Sequence, residues 1–479
     1  MRVLFHIAKS NQYIIGRNRY MLHQYRLNGR NIVLDTCSGA VHVVDDLAYE
    51  VISRFETQSA DEIVAALRDR YPESEIRECA DEVGQLKAAG RLFSPDTFAP
   101  IAGELKARTA GVVKALCLHV AHTCNLNCSY CFASQGRYHG ERALMSFETG
   151  KKALDFLVVN SGSRKHLEVD FFGGEPLMNF DVVKQLVAYA RSIEKAAGKQ
   201  FRFTLTTNGM NIDDDVIDFC NRECHNVVLS LDGRKEIHDF ARVDYQGRGS
   251  FDRVVPKFQR LVEKRGGKSY YMRGTFTHRN PDFLKDIQTM LDLGFTELSM
   301  EPVVCAPDDP AALTPDDLEI VKQQYEELAL LMERRRREGR PFTFYHYMID
   351  LSGGPCIYKR VSGCGSGTEY LAVTPTGDLY PCHQFVGEER FRLGSLDEGL
   401  TKPEIQAEFA NTNVYTRPEC RDCWARLYCA GGCAANAWHA TGSINGVYKA
   451  GCELFRKRME CAIWLEAMRL SDSEDEHAD

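Results

Sequence analysis

The chain has 479 residues, longer than one domain of about 100–200 residues. Hydrophobic residues make up 44% and charged residues 26%, an ordinary soluble composition, and no apolar run reaches the about 18 residues that would span a membrane. The net charge of −8 argues against a nucleic-acid binder that depends on phosphate contacts. Eighteen cysteines follow an N-terminus, Met1-Arg2-Val3-Leu4-Phe5-His6-Ile7, that is too soon polar for a signal peptide. Many thiols without an export signal point to thiolate chemistry or metal rather than disulfides, and to a reducing, anaerobic cytoplasm.

Residues 1–95 read as a separate small domain. Tyr20 to Leu27 alternates like a strand, and Asn28-Gly29 is a hairpin turn signal. Asn31 to Asp35 and Ala40 to Val44 continue as strands around Cys37-Ser38-Gly39. Three helices follow: Asp45 to Arg54, Ser59 to Arg70 with Ser59 and Glu62 as a capping box, and Glu75 to Ala89. Arg91-Leu92-Phe93 then returns as a short strand, which completes a winged-helix pattern. A DNA-binding winged helix needs a basic third helix, whereas Glu75, Glu78, Asp81 and Glu82 make this one acidic. The other use of such a domain is capture of a peptide by strand addition to an exposed sheet edge. Residues 96–113, with Pro100 and Gly103, read as a linker.

From residue 114 to 308 strands and helices alternate. Strands are expected at 115–121, 166–172, 200–206, 226–231, 270–277 and 297–303, with helices such as Phe147 to Val159 and Phe180 to Ala197 between them. Six βα units imply an incomplete parallel barrel whose reactive loops lie at the C-terminal strand ends. The motifs fall at those ends. The first strand leads into Cys124, Cys128 and Cys131 in a Cx3CxxC spacing. Three thiolates in one loop can hold three irons of a [4Fe–4S] cube and leave the fourth open to a chelating small molecule. A zinc knuckle is the plain alternative, but structural zinc prefers four closed ligands. The loop, with Tyr130 before its last cysteine, resembles that of the radical S-adenosylmethionine (SAM) enzymes.

The resemblance implies roles for the other strand ends. Gly173-Gly174-Glu175 looks like the motif that receives the SAM amino group. Thr207 and Asn208, in Thr206-Thr207-Asn208-Gly209, end the third strand, where an ordinary turn is the alternative. Ser230 and Arg242 match positions that hold the SAM carboxylate in relatives, and a bidentate Arg–carboxylate pair suits that role. A plain salt bridge of Arg242 with Asp239 or Asp244 is the alternative. Glu301 at the sixth strand end is placed on the adenosine side. Residues 309–345 form a connecting helical segment ending near the basic run Arg334 to Arg337, which suits a helix C-terminus.

Residues 346–470 hold the second block of cysteines: Cys364, Cys382, Cys420, Cys423, Cys429, Cys433 and Cys452. Their order resembles the SPASM extension of radical SAM enzymes, which holds two auxiliary [4Fe–4S] clusters. The resemblance implies Cys420, Cys423, Cys429 and Cys452 at the outer cluster, and Cys364, Cys382 and Cys433 at the inner one. Cys356 is the candidate fourth inner ligand, with an open iron for a substrate thiolate as the alternative. Anaerobic sulfatase maturases carry an acidic base directly after the cysteine that corresponds to Cys382. Here the residue is His383, either a base of another kind or a polar neighbour. Cys37, Cys79, Cys117, Cys220, Cys224, Cys305 and Cys461 fit no motif and are expected as buried thiols. The acidic tail 471–479 is expected to be disordered.

The whole therefore reads as α/β: a partial (β/α)6 radical SAM barrel, an N-terminal winged-helix peptide-recognition domain and a C-terminal iron–sulfur SPASM domain. The stretches Asn31 to His42 and Gly363 to Tyr370 look most like the thioether-forming maturases of SCIFF peptides, which are small and cysteine-rich. The resemblance implies three [4Fe–4S] clusters, SAM, and 5′-deoxyadenosyl radical abstraction of a hydrogen from an acceptor residue such as Thr. A peptide cysteine then bonds to that carbon. The partners implied are a Cys-rich precursor peptide, bound through its leader, and a reducing donor such as ferredoxin or flavodoxin, with no nucleic acid and no membrane. Carbon–carbon crosslinking or dehydrogenation by the same apparatus is the enzymatic alternative. An iron–sulfur winged-helix DNA sensor is the non-enzymatic one.

Overall fold

The structure is a computed structural model that describes residues 21–107, 111–306, 308–351 and 357–475. β1 (Leu22–Leu27) and β2 (Arg30–Asp35) form an antiparallel hairpin. Asn28 and Gly29 at its tip both have positive φ, 47° and 75°, as a tight primed turn requires. β3 (Val41–Val44) pairs antiparallel with β2. α1 (Asp46–Arg54), α2 (Ala60–Leu67) and α3 (Glu73–Ala88) follow, with the Ser59–Glu62 capping box in place. The closing strand expected at 91–93 is absent. Phe93 sits at φ 55°, outside extended geometry, and with Leu92 it plugs the core beneath the helices.

This sheet is covered on both faces. Alternation sends neighbouring side chains to opposite sides. Val33 packs with Val51, Ile63 and Val83 of the helices, while Tyr25, Leu27, Ile32 and Leu34 join the core of the rest of the molecule. The small domain is thus joined to its neighbours through a shared apolar core. His23 stacks on Trp424 at 3.8 Å, and the Tyr25 hydroxyl donates to the Glu460 carbonyl at 2.9 Å.

α4 (Ala102–Ala107) lies in the expected linker. The alternating region then runs β4 (Ala115–His122), β5 (Ala143–Leu144), α5 (Phe147–Asn160), β6 (His166–Gly173), α6 (Phe180–Ala197), β7 (Gln200–Thr207), α7 (Asp214–Glu223), β8 (Cys224–Ser230), α8 (Lys235–Ala241), α9 (Phe251–Arg265), β9 (Tyr270–Phe276), α10 (Leu284–Asp292) and β10 (Glu297–Pro302). β4, β6, β7, β8, β9 and β10 are neighbours in that order and all parallel. Val169, Phe171, Phe203, Leu205, Val227 and Leu229 are fully buried under the helices. The residues between them face the barrel interior.

α11 (Pro315–Arg337) starts at a Thr314–Asp317 capping box, inside the limits expected from charge patterning. β11 (Thr343–Phe344) pairs parallel with β10. α12 (Ile357–Ser362) precedes β12 (Tyr370–Val373), which pairs parallel with β4. β13 (Asp378–Tyr380), β14 (Gly394–Ser395) and β15 (Gly399–Leu400) continue antiparallel from it. The C-terminal third is therefore an extension of the barrel sheet. Short helices follow: α13 (Pro403–Asn411), α14 (Pro418–Arg421) with Cys420, α15 (Arg426–Cys429) with Cys429, and α16 (Ala434–Thr441), whose N-cap is Cys433. α17 (Lys449–Asp475) closes the chain. The disorder expected from residue 471 is corrected through Asp475, because α17 continues there from a segment anchored by buried Ile463, Trp464, Ala467 and Met468; residues 476–479 lie outside the described residues.

Candidate active site

The Cx3CxxC loop leaves β4 at its C-terminal end. Its backbone is pinned by N–H donation from Asn127 to the Val243 carbonyl (2.7 Å) and from Ser129 to the Ala241 carbonyl (3.0 Å). The Cys124 Sγ accepts from the Leu126 N–H (3.4 Å) and the Asn208 side chain (3.5 Å). Burial pushes the Cys124 thiol up to about 12 and the Cys128 thiol up to about 11. Thiols this hard to ionise become thiolates by exchanging the proton for a metal.

Gly173 and Gly174 press against the base of this loop. A Cβ on Gly174 would lie 2.2 Å from the Thr123 carbonyl oxygen, and one on Gly173 would lie 2.3 Å from that of Ala121. The neighbouring Glu175 is buried. It accepts from the Leu177 N–H (3.0 Å), the Thr207 hydroxyl (2.8 Å) and the Asn208 N–H (2.8 Å). Burial pushes its carboxyl up to about 7 against the pull of those donors. Glu175 thus ties the second strand end to the third, and that bracing explains why Thr207 and Asn208 stand beside it. Three donors leave acceptor capacity on a carboxylate, which has about four lone-pair sites.

Asp232, two residues after Ser230, is the hub on the other side. Tyr130 donates to its Oδ2 at 2.6 Å, Arg242 Nε to the same oxygen at 2.9 Å, Arg242 Nη2 to Oδ1 at 3.2 Å, and the Thr275 N–H to Oδ1 at 2.9 Å. Burial alone would raise this carboxyl; Arg242, His238 and the hydrogen bonds hold it below the ordinary carboxylate range. The salt bridge weighed for Arg242 exists, with Asp232 in place of the two partners considered. Asp239 is paired with Lys235, and Asp244 with Arg248 and Arg253.

One cavity of about 480 Å³ joins these groups, within the size range of small-molecule sites. It is lined by Cys124, Cys128, Tyr130, Cys131, Gly173, Gly174, Glu175, Thr207, Asn208, Ser230 and Arg242. Its far wall carries Glu301, His383, Cys429, Cys433 and Cys452. Glu301, expected beside an adenosine, accepts from Arg458 at 3.4 Å to each oxygen and stands 3.1 Å from His346 Nδ1. His383 lies against Phe172, with ring centres 5.0 Å apart. Burial, with some help from Arg273, pushes its imidazole down to about 4, so it is neutral in ordinary buffers and a weak base.

The C-terminal thiols fall into two neighbourhoods. Burial, then Cys433 and Cys364, raises the Cys382 thiol. Burial, then Cys452, Cys420 and Cys423, pushes Cys429 up to about 12. Cys356 lies outside the described residues. Of the motif-free cysteines, all are buried except Cys305, which is half-buried. Among the described residues no group of three or more His, Cys, Asp or Glu side chains is placed to hold a single metal ion. A cube presents its thiolate ligands on separate corner irons, which the arrangement at Cys124, Cys128 and Cys131 fits: three thiols, a glycine cradle with no room for a Cβ, and an open side toward the cavity. Arg273, His346 and Arg458 were not singled out in the sequence. A basic residue inside the apolar alternation of Tyr270–Phe276 was the available signal for the first.

Comparison with known proteins agrees with this geometry. Residues 118–289 match the Radical SAM superfamily. The chain is 20% identical over 375 residues to the radical SAM cyclopropyl synthase TigE of Paramaledivibacter caminithermalis, covering 73% of each chain. It is 26% identical over 335 residues to a cysteine-type anaerobic sulfatase-maturating enzyme of Clostridium novyi, covering 65% of this chain and 85% of that one. Among solved structures, native anSMEcpe with bound AdoMet matches with a TM-score of 0.62 and 22% identity over 76% of this chain and 99% of that one. Streptococcus suis SuiB bound to its precursor peptide SuiA matches with a TM-score of 0.52 and 15% identity over 89% and 98%. Residues 118–289 of this chain therefore match a radical SAM domain, set within a fold shared with anSMEcpe and SuiB.

Proposed function

We propose that this chain is a radical SAM maturase that installs thioether crosslinks between cysteine and an acceptor residue, Thr in the first instance, of a ribosomally made Cys-rich peptide. The observation that carries it is the single cavity that runs from Cys124, Cys128 and Cys131 to Cys433 and Cys452. When bound, clusters at these thiols supply a 5′-deoxyadenosyl radical from SAM and a sink for the electron left after the carbon–sulfur bond forms.

The chain's own residues bind and orient. Ser230 and the Arg242 edge left free by Asp232 offer donors to the SAM carboxylate. The Gly173-Gly174 backbone, which no side chain obstructs, faces its amino group. Cys364, Cys382 and Cys433 hold the inner auxiliary cluster, and Cys420, Cys423, Cys429 and Cys452 the outer one. His383 is a polar neighbour of the inner set, since burial makes it a poor match for deprotonating a thiol. The leader adds a strand to the β1–β3 sheet, whose two faces are already covered, so its edge is what remains for pairing. Tethering raises the local concentration of the core peptide.

The test is anaerobic reaction of the reconstituted protein with SAM, reductant and the Cys-rich peptide encoded beside its gene, followed by mass spectrometry. Loss of two hydrogens per bond, alkylation-resistant cysteine and released 5′-deoxyadenosine are expected. Crosslinked product from Cys128→Ala protein would rule the mechanism out. The likeness to a cyclopropyl synthase favours carbon–carbon bond formation as the second reading. In that case the peptide cysteines would remain open to alkylation.

A further inference from the structure

Three arginines line the cavity, and two of them are matched. Arg242 is bonded to Asp232, and Arg458 to Glu301. Arg273 makes no side-chain hydrogen bond or ion pair with a described residue, yet it sits in the middle of β9 with its chain neighbours Met272 and Gly274 buried. Its register partners are Ser230 on β8 and Ser299 on β10. The Ser299 hydroxyl is already engaged by His346 at 3.0 Å, and the Ser230 hydroxyl lies beside the cavity. Arg273 is itself exposed, so its guanidinium lies open to an anion that enters the cavity.

The two unequal arginines divide the cavity. Arg242 acts on the Cys128 thiol and Tyr130, on the cluster-loop side. Arg273 acts on His383, His346 and Glu301, toward the C-terminal region. With Arg458 paired to Glu301, that wall keeps one guanidinium, that of Arg273, with no ion-pair partner among the described residues. SAM brings a sulfonium and an ammonium against a single carboxylate, which Ser230 and Arg242 are proposed to receive, so its net positive charge gains nothing from a further free cation. A peptide carboxylate has no such conflict, and a guanidinium fork binds it through two charge-assisted hydrogen bonds.

We propose that Arg273 anchors an acidic side chain, Asp or Glu, of the peptide substrate on the cavity wall between Ser230 and Glu301. It is a specificity residue, and the assignment rests on the peptide reading of the cavity. The test reads binding without turnover. The capped tripeptides acetyl-Ala-Glu-Ala-amide and acetyl-Ala-Gln-Ala-amide are titrated anaerobically into reconstituted full-length protein saturated with SAM, and followed by saturation-transfer NMR. The Glu peptide should bind about tenfold more tightly than the Gln peptide, as a charge-assisted pair demands. In Arg273→Gln protein the preference should vanish while SAM affinity stays unchanged. Arg273→Lys should keep part of it, with the charge but without the planar fork. Equal binding of the two peptides to the unaltered protein overturns the proposal, and that comparison needs no variant. So does a preference that survives in Arg273→Gln, or a loss of SAM affinity in its place, which would assign Arg273 to the SAM carboxylate. A protein that prefers the Glu peptide but modifies no peptide would sink the reaction while leaving Arg273 in its role.

Discussion

Asp232 holds the site together at the scale of single residues, because Tyr130, Arg242 and Thr275 all converge on its carboxylate. Asp232→Asn leaves Arg242 as a buried, half-paired charge, a change of about 3–5 kcal/mol. The thermal midpoint should fall and SAM cleavage should drop by at least about a hundredfold, as loss of more than 2.7 kcal/mol of positioning implies; unchanged 5′-deoxyadenosine release would refute the hub. Gly174→Ala forces a Cβ into the Thr123 carbonyl at 2.2 Å, with backbone on both sides and no flexible atom to yield. Iron content after reconstitution and SAM affinity should both fall; a variant that reconstitutes normally would show the cradle to be slack. His238, bonded to the Asp232 N–H and Ser250, carries a pH signature. Burial pushes its folded pKa down to about 4 from 6.5. The unfolded chain takes up a proton in that window while the folded one resists. Its contribution is therefore complete above pH 6.5 and falls as pH drops toward 4, by roughly 3 kcal/mol. His238→Gln should flatten this part of the stability–pH curve, measured against the unaltered protein. The Asp232 role was hidden in the sequence because a position at a strand end does not say which side chains converge on it.

Among elements, the junction between the small N-terminal sheet and the cysteine-bearing loops is the most constrained. Arg426, on α15 between Cys423 and Cys429, is buried and pairs with Asp96 at 2.6 Å, donates to the Arg421 carbonyl at 2.6 Å and reaches Cys37 at 3.9 Å. One buried cation thus links the linker, the hairpin and the loop proposed for the outer cluster. Arg426→Gln, Asp96→Asn and the double variant should show a coupling of about 1–3 kcal/mol in a double-mutant cycle. Additive effects would mean that the pair is incidental. α14 and α15 have four residues each, and the core beneath them is small: Val414, Cys420, Leu427 and Val447. So little apolar burial cannot hold short helices by itself. Removing iron with a chelator should raise hydrogen exchange across 414–452 while β6–β9 stay protected; equal protection with and without iron would show the loops to be self-supporting. The start of α2 was legible because its capping residue, Ser59, marked it. Residues 91–93 were misread as a strand because a short apolar pair, Leu92-Phe93, shows the same pattern whether it pairs or plugs a core.

For the whole molecule, the barrel, its C-terminal extension and the N-terminal sheet surround one another more tightly than a string of domains would. β12 joins β4 on one side of the sheet, and α17 packs against both α11 and β1. No described helix is long and apolar enough to cross a membrane. The sequence by itself determined the six parallel strands and the positions of the reactive loops. Alternation, helix spacing and cysteine intervals are local properties, and a strand end followed by Cx3CxxC states its own chemistry. It also placed Cys124, Cys128 and Cys131 together after the first barrel strand, since close spacing confines them to one loop. Only the tertiary structure decided which charges meet. Arg242 finds Asp232, Glu301 finds Arg458 from a helix more than a hundred residues away, and Arg273 is left facing the cavity. Ion pairing depends on distance through space and on exclusion of water. Neither quantity is written along the chain until the strands have set their register and the C-terminal helix has closed over them.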